Sequence, residues 1–250
     1  MESELRVLVV IGFTGLLVLL RLDAERFGAA DYDEPGPSGA QSIRRRFAWY
    51  AIGIGLVFAV ALVDPEPVRD LRLAFGDRAG ALLGGLAYAA IGCGQAAGIA
   101  WLRYARLRFP APSAYPGAVI NSLTTAFIDE AAFRGALLGL IAAAGVDTTP
   151  AIAIQALAYA LATRLGARGR DPYGLLLALG IGFLGGWLTV ATGGIAAAFL
   201  GHTVTRLAVF VCTSHAGQVV ATTRDPIEME RRRRLPDGWR VVGTEGPPER

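Results

Sequence analysis

The sequence lacks lysine, has only two cysteines and is poor in charge of either sign. Its 24 basic residues are all arginine and nearly balance 21 acidic ones, so the net charge of +3 predicts no binding of nucleic acid. Cys93 and Cys212 lie far apart in apolar stretches and suggest neither a disulfide framework nor a cysteine-based zinc knuckle. With 18% charged and 53% hydrophobic residues, the composition is not that of a soluble domain.

Seven apolar runs divide the chain, with short polar clusters between them. Runs of this length and apolarity are typical of helices that cross a bilayer, where every backbone polar group must be satisfied internally. The sequence therefore predicts an all-α fold, a polytopic helix bundle with about seven transmembrane helices in contact with membrane lipids. The runs cover residues 5–20, 48–63, 79–102, 118–144, 151–163, 173–190 and 195–212.

Arginines are distributed unevenly between the two sides of this predicted bundle. Seven crossings place 18 of them on one side and four on the other, Arg6, Arg69, Arg72 and Arg78. Basic loops are retained on the cytoplasmic face of a membrane. We therefore expect an integral protein of the cell membrane, with the N-terminus outside and the C-terminal tail in the cytoplasm.

Four charged side chains and one histidine lie well inside the predicted spans, away from their ends. A charged side chain in the hydrocarbon core costs at least about 2.5 kcal/mol, so such residues face a protein interior or a wet cavity. They are therefore the first candidates for a functional role. They are Asp129, Glu130 and Arg134 in the fourth run, and His202 and Arg206 in the seventh.

The spacing of these residues allows two interpretations. Glu130 and Arg134 are spaced i to i+4 with the acid first, which predicts an ion pair along one helix face. Asp129 projects about 100° away from Glu130, and its predicted depth in the membrane is similar to that of His202. A carboxylate and an imidazole in one cavity can activate water, directly or on a metal ion. Alternatively, these side chains satisfy one another in a polar cluster that only holds the helices together.

The segment FIDEAAFRGALLGL resembles the signature helix of the CPBP family. This family of intramembrane proteases contains the CAAX prenyl proteases and the bacterial bacteriocin-processing, or Abi, proteins. The usual form of the motif is E-E-x-x-x-R followed by Gly. Asp129, Glu130, Arg134 and Gly135 fill that pattern, and Phe133 precedes the arginine as is common in the family.

Two further segments are similar to the later motifs of the family, in the same order. In AYALATR, Tyr159 takes the aromatic position of an F-x-x-x-H motif, and Thr163 stands where the family has histidine. In TGGIAAAFLGHTVTR, His202 matches the histidine of H-x-x-x-N, and Arg206 stands where asparagine or aspartate is expected. The resemblance divides the chain into N-terminal helices over 1–114, a CPBP-like core over 115–212 and a polar tail over 213–250.

The resemblance implies a protease that cleaves a membrane-associated protein or peptide. The resemblance implies that the first acid of the signature and two histidines activate water, either directly or through zinc. Carried over, Asp129 is the base or a zinc ligand, His202 is the retained histidine and second ligand, and Glu130 acts beside them, paired with Arg134. Phe133, Tyr159, Thr163 and Arg206 occupy supporting positions.

The departures from the motifs leave the activity open. Thr163 leaves the site short of the usual three-ligand catalytic set for zinc. Aspartate at 129 withdraws the carboxylate by about 1.5 Å, where even 1 Å of misplacement can cost 100-fold in rate. Arg206 adds a positive charge that opposes a metal ion and could neutralise Asp129 instead. Two hypotheses remain: an intramembrane metalloendopeptidase, and an inactive relative that binds or scaffolds a membrane protein.

Overall fold

The computed structural model describes residues 2–29, 39–104, 107, 109–110, 112–165 and 172–213, which contain helices and no strand. Each of the seven predicted apolar runs is helical, so the predicted all-α fold is confirmed. The described residues end at Thr213, so the predicted polar tail beyond that residue lies outside them. The helices are α1 (Glu2–Leu22), α2 (Gly39–Val63), α3 (Arg78–Tyr104), a 3₁₀ turn (Pro112–Ala114), α4 (Tyr115–Asp129), a π-helical segment (Glu130–Leu137), α5 (Leu138–Ala143), α6 (Thr148–Leu165), α7 (Pro172–Thr192) and α8 (Ala196–Thr213).

Five of the described helices are long and apolar enough to cross a bilayer, as a polytopic helix bundle requires. Many of their large apolar side chains face outward, where hydrocarbon rather than water suits them. The orientation of the termini stays a prediction. The candidate spans are Glu4–Leu22, Ile43–Val63, Arg78–Trp101, Leu175–Thr192 and Ala196–Thr213.

Small residues bring α8 into close contact with α3. Gly201 of α8 lies against the ring of Tyr88, and Gly92 of α3 lies against Thr205, with no room for a Cβ at either glycine. Close approach of backbones at small residues is the main way in which helices associate within a bilayer. α8 also contacts α4 and α7, so the helix that carries His202 packs against three others.

α2 holds the C-terminal end of α1 and the segment that follows it by one hydrogen bond each. The buried Trp49 donates from Nε1 to the carbonyl oxygen of Leu20 at 2.8 Å. Arg46 donates from Nε to the carbonyl oxygen of Gly28 at 2.7 Å. Carbonyls in the last turn of a helix have no partner within the helix, so Trp49 satisfies the carbonyl of Leu20, which would otherwise be left unpaired. The position of the last turn of α1 is therefore defined by α2.

Candidate functional site

The signature motif lies at a change in helix type that the sequence analysis did not predict. Asp129 is the last residue of α4, and Glu130 is the first residue of the π-helical segment that also holds Arg134. The sequence predicted one uninterrupted helical run over 118–144. π-Helical segments are rare and occur frequently at functional sites. The two acids of the motif therefore lie on either side of the point where the π-helical segment begins.

Glu130 connects the signature helix to α8. Its Oε1 atom lies 2.7 Å from Nδ1 of His202, and its Oε2 atom lies 3.2 Å from Nε of Arg134. Glu130 and Arg134 are fully buried. The predicted ion pair between Glu130 and Arg134 is present, and the carboxylate also fixes the orientation of the imidazole. One oxygen of Glu130 is therefore hydrogen-bonded to His202, and the other is ion-paired with Arg134 without a hydrogen-bond partner among the described residues.

Tyr159 contacts the imidazole, and Phe133 and Arg134 contact Tyr159 in turn. The hydroxyl of Tyr159 lies 3.4 Å from Nε2 of His202, and the Tyr159 ring meets the edge of Phe133 with centroids 5.4 Å apart. The guanidinium carbon of Arg134 lies 4.0 Å from the centroid of the Tyr159 ring, within the range of a cation–π interaction. Residues from the π-helical segment, α6 and α8 therefore form one buried cluster around His202.

Asp129 has a different partner from the one that sequence spacing suggested. Its Oδ1 atom lies 3.4 Å from Nε of Arg21, and both side chains are buried. Among the described residues, neither carboxylate oxygen of Asp129 has a hydrogen-bond partner. The carboxylate that contacts His202 belongs to the neighbouring acid, Glu130. In the sequence, Arg21 is only one of the 18 arginines on the predicted cytoplasmic side, because no motif links it to the signature helix.

Thr163 and Arg206 lie one helical turn beyond the two residues that the motifs pair with them. Thr163 follows Tyr159 on α6 and is half-buried. Arg206 follows His202 on α8 and is also half-buried. The two departures from the family motifs therefore sit beside the cluster on the helices that supply Tyr159 and His202.

The predicted ligands, Asp129 and His202, and the side chains around them do not fit the predicted zinc ion. In the part of the chain that the structure describes, no group of three or more His, Cys, Asp or Glu side chains converges on one point. Glu130 and His202 bind each other, and the guanidiniums of Arg21 and Arg134 lie on the two carboxylates. A zinc ion would replace these contacts with fewer than three protein ligands, next to two fixed positive charges.

Gly185 of α7 provides the space that Arg134 occupies. A Cβ at this position would lie 2.9 Å from Nε of Arg134, whose side chain cannot withdraw because it is fully buried. We expect Gly185→Ala to lower the thermal unfolding temperature of the purified protein by several degrees, because overpacking costs about 1–3 kcal/mol. Gly180→Ala on the same helix, where nothing lies within 4 Å, is the matched control. Equal unfolding temperatures for the two variants would contradict this view of the packing.

A comparison with protein families identifies the region that contains this cluster. The family model described as type II CAAX prenyl endopeptidase Rce1-like matches residues 111–208. No curated protein and no solved structure matches the chain. The matched region includes all three motif segments and every candidate site residue that the sequence predicted. The resemblance to the CPBP family is confirmed: residues 111–208 form an Rce1-like domain in a polytopic, integral membrane protein.

Proposed function

We propose that this protein is an intramembrane endopeptidase that cleaves a membrane-associated protein or peptide without a metal ion. The observation that carries the proposal is the difference between the two acids of the motif. Glu130 is hydrogen-bonded to His202 through Oε1 and ion-paired with Arg134 through Oε2, whereas Asp129 has a compensating charge from Arg21 but no hydrogen bond to either oxygen among the described residues. A buried carboxylate with unused acceptor sites is suited to bind and deprotonate water.

The proposed reaction is a general-base hydrolysis. Asp129 accepts a proton from water while the water oxygen forms a bond to the carbonyl carbon of the scissile peptide. The carbonyl π electrons move to the oxygen, and the Tyr159 hydroxyl, held beside His202, donates a hydrogen bond to that oxyanion. Collapse of the intermediate breaks the C–N bond, and Asp129 returns its proton to the leaving amine. Glu130 and Arg134 keep His202 and Tyr159 in place.

An apolar groove next to the cluster supports a membrane-embedded substrate. The groove has a volume of about 590 Å³ and is lined almost entirely by aliphatic and aromatic side chains. Two of them, Phe127 and Phe199, pack edge to face with centroids 6.2 Å apart. Phe127 lies three residues before Glu130, and Phe199 lies three residues before His202, so both lie one helical turn from the pair that Glu130 and His202 form. An apolar chain in this groove would bring an adjoining peptide bond close to the motif residues.

The proposed orientation follows from the arginine distribution, with the N-terminus outside and the tail in the cytoplasm. The predicted spans leave 18 arginines on the proposed cytoplasmic side and four on the other, and this difference supports the orientation.

Cleavage of a peptide library by the full-length protein in lipid nanodiscs tests the proposed function. The library contains membrane-protein peptides and a farnesylated CAAX peptide with its unmodified counterpart, and mass spectrometry identifies new termini. We expect wild-type protein and the neighbouring control Thr203→Ala to produce termini that His202→Ala does not. A chelator should leave the rate unchanged. Identical sets of termini from wild type and His202→Ala would contradict the proposal.

A second candidate is a non-catalytic relative that binds or scaffolds a membrane protein. The specific observation in its favour is that each acid of the motif has an internal arginine partner, Arg21 for Asp129 and Arg134 for Glu130. Paired in this way, the acids can stabilise the bundle without reacting. If the wild type produces no new termini in the library assay, this second candidate replaces the endopeptidase.

A further inference from the structure

Arg21 reaches the site from outside the Rce1-like domain. It lies in the last turn of α1, whereas the matched domain begins at residue 111. Its side chain is 3% exposed, and its Nε atom lies 3.4 Å from Oδ1 of the fully buried Asp129. A residue of the N-terminal region therefore contacts the first acid of the signature motif.

The charges around the two acids explain why Arg21 is needed there. Glu130 already has Arg134 as its ion-pair partner and His202 as its hydrogen-bond partner. The cation described on Asp129 is Arg21. A buried carboxylate that loses its ion-pair partner is strongly destabilising, because neither water nor a counterion replaces that charge. Arg21 thus compensates the charge of Asp129, which is not part of the ion pair between Glu130 and Arg134 in the Rce1-like domain.

The geometry of the contact indicates more than a lock between helices. Strong arginine–carboxylate pairs are short and frequently bidentate. Here the closest approach is 3.4 Å, and neither oxygen of Asp129 has a hydrogen-bond partner among the described residues, whereas Glu130 keeps a 2.7 Å hydrogen bond to His202 beside its own arginine. The guanidinium compensates the charge while leaving the acceptor sites of Asp129 for another group.

The position of Arg21 is itself well defined. The preceding residue, Leu20, accepts the hydrogen bond from the buried Trp49, which ties the last turn of α1 to α2. Arg46 holds the following segment through Gly28. Small displacements of a catalytic group can cost about 100-fold in rate, so a fixed partner matters for Asp129.

We propose that Arg21 is a positioning residue of the active site, which compensates the charge of Asp129 and fixes its orientation from α1. The catalytic part of this inference rests on the proposed endopeptidase function. It implies that the catalytic centre is assembled from two parts of the chain, the Rce1-like domain and the N-terminal helix.

Thermal unfolding of the full-length protein in nanodiscs tests the coupling without any need for activity. We expect Arg21→Gln and Asp129→Asn each to lower the unfolding temperature by roughly 5 °C or more, because each leaves one buried charge unpaired. The double variant should unfold within about 2 °C of wild type, since neither charge remains. Additive losses in the double variant would overturn the inference.

Kinetics separate positioning from stability. We expect Arg21→Gln to lower kcat about tenfold or more with KM changed less than about twofold, and Arg21→Lys to recover most of the loss. Arg26→Gln is the matched control, because Arg26 lies nearby in an exposed pair with Asp23. Wild-type kcat in Arg21→Gln would overturn the positioning role. If the wild type cuts no peptide, the proposed function fails instead, and the thermal cycle alone decides whether Arg21 holds Asp129.

Discussion

Replacing Arg134 with methionine is expected to lower the free energy of unfolding by about 3–5 kcal/mol, because Glu130 would keep a buried charge without its cation. The same change removes the cation–π contact with Tyr159 and the 3.5 Å hydrogen bond to the carbonyl of Ile181. For a chain of this length, the loss corresponds to a fall in unfolding temperature of about 10 °C. Thermal unfolding of the purified protein in nanodiscs measures this fall in unfolding temperature.

Two further variants show whether burial causes this effect. Arg69 pairs with Glu66 at 2.8 Å, which is closer than the 3.2 Å between Arg134 and Glu130, but both partners at this surface are exposed. Because exposed ion pairs contribute little, Arg69→Met should leave the unfolding temperature unchanged. Adding Glu130→Gln to Arg134→Met should recover part of the lost stability, since the unpaired charge is then removed. Equal effects of Arg69→Met and Arg134→Met would contradict this account.

The sequence predicted the helices well because the membrane leaves few alternatives. A long apolar run in a bilayer must satisfy its backbone internally, so length and apolarity alone predict a helix at each of the seven positions. The pair of Glu130 and Arg134 was also predictable, because neighbouring helical turns place residues at i and i+4 side by side. These predictions depend only on local geometry.

The contacts between distant segments were not predictable in the same way. Nothing in the local sequence connects Arg21 with Asp129, and an arginine next to the end of an apolar run also fits a simple topological role. The π-helical segment beginning at Glu130 has no sequence signal that distinguishes it from an α-helix. The segment contacts α1, α2, α6 and α7, and local sequence patterns do not encode such contacts between distant helices.

Replacing Asp129 with asparagine is expected to reduce the rate of peptide cleavage by about 10³-fold. Asparagine has nearly the same shape, but it cannot accept the proton of the attacking water, and general-base catalysis typically contributes 10²–10⁴-fold. Asp147→Asn is the matched control, because Asp147 lies in the same matched region and is exposed. The library peptide with the fastest wild-type cleavage provides the substrate for the measurement.

The double variant Arg21→Gln, Asp129→Asn separates the chemical loss from a loss of folded protein. Asp129→Asn alone leaves Arg21 as an unpaired buried charge, so a low rate could follow from poor folding. The double variant removes both charges and should regain the wild-type unfolding temperature, while its cleavage rate stays about 10³-fold lower because no carboxylate returns to position 129. Recovery of the rate together with the stability would show that Asp129 only balances Arg21, and that another group activates the water.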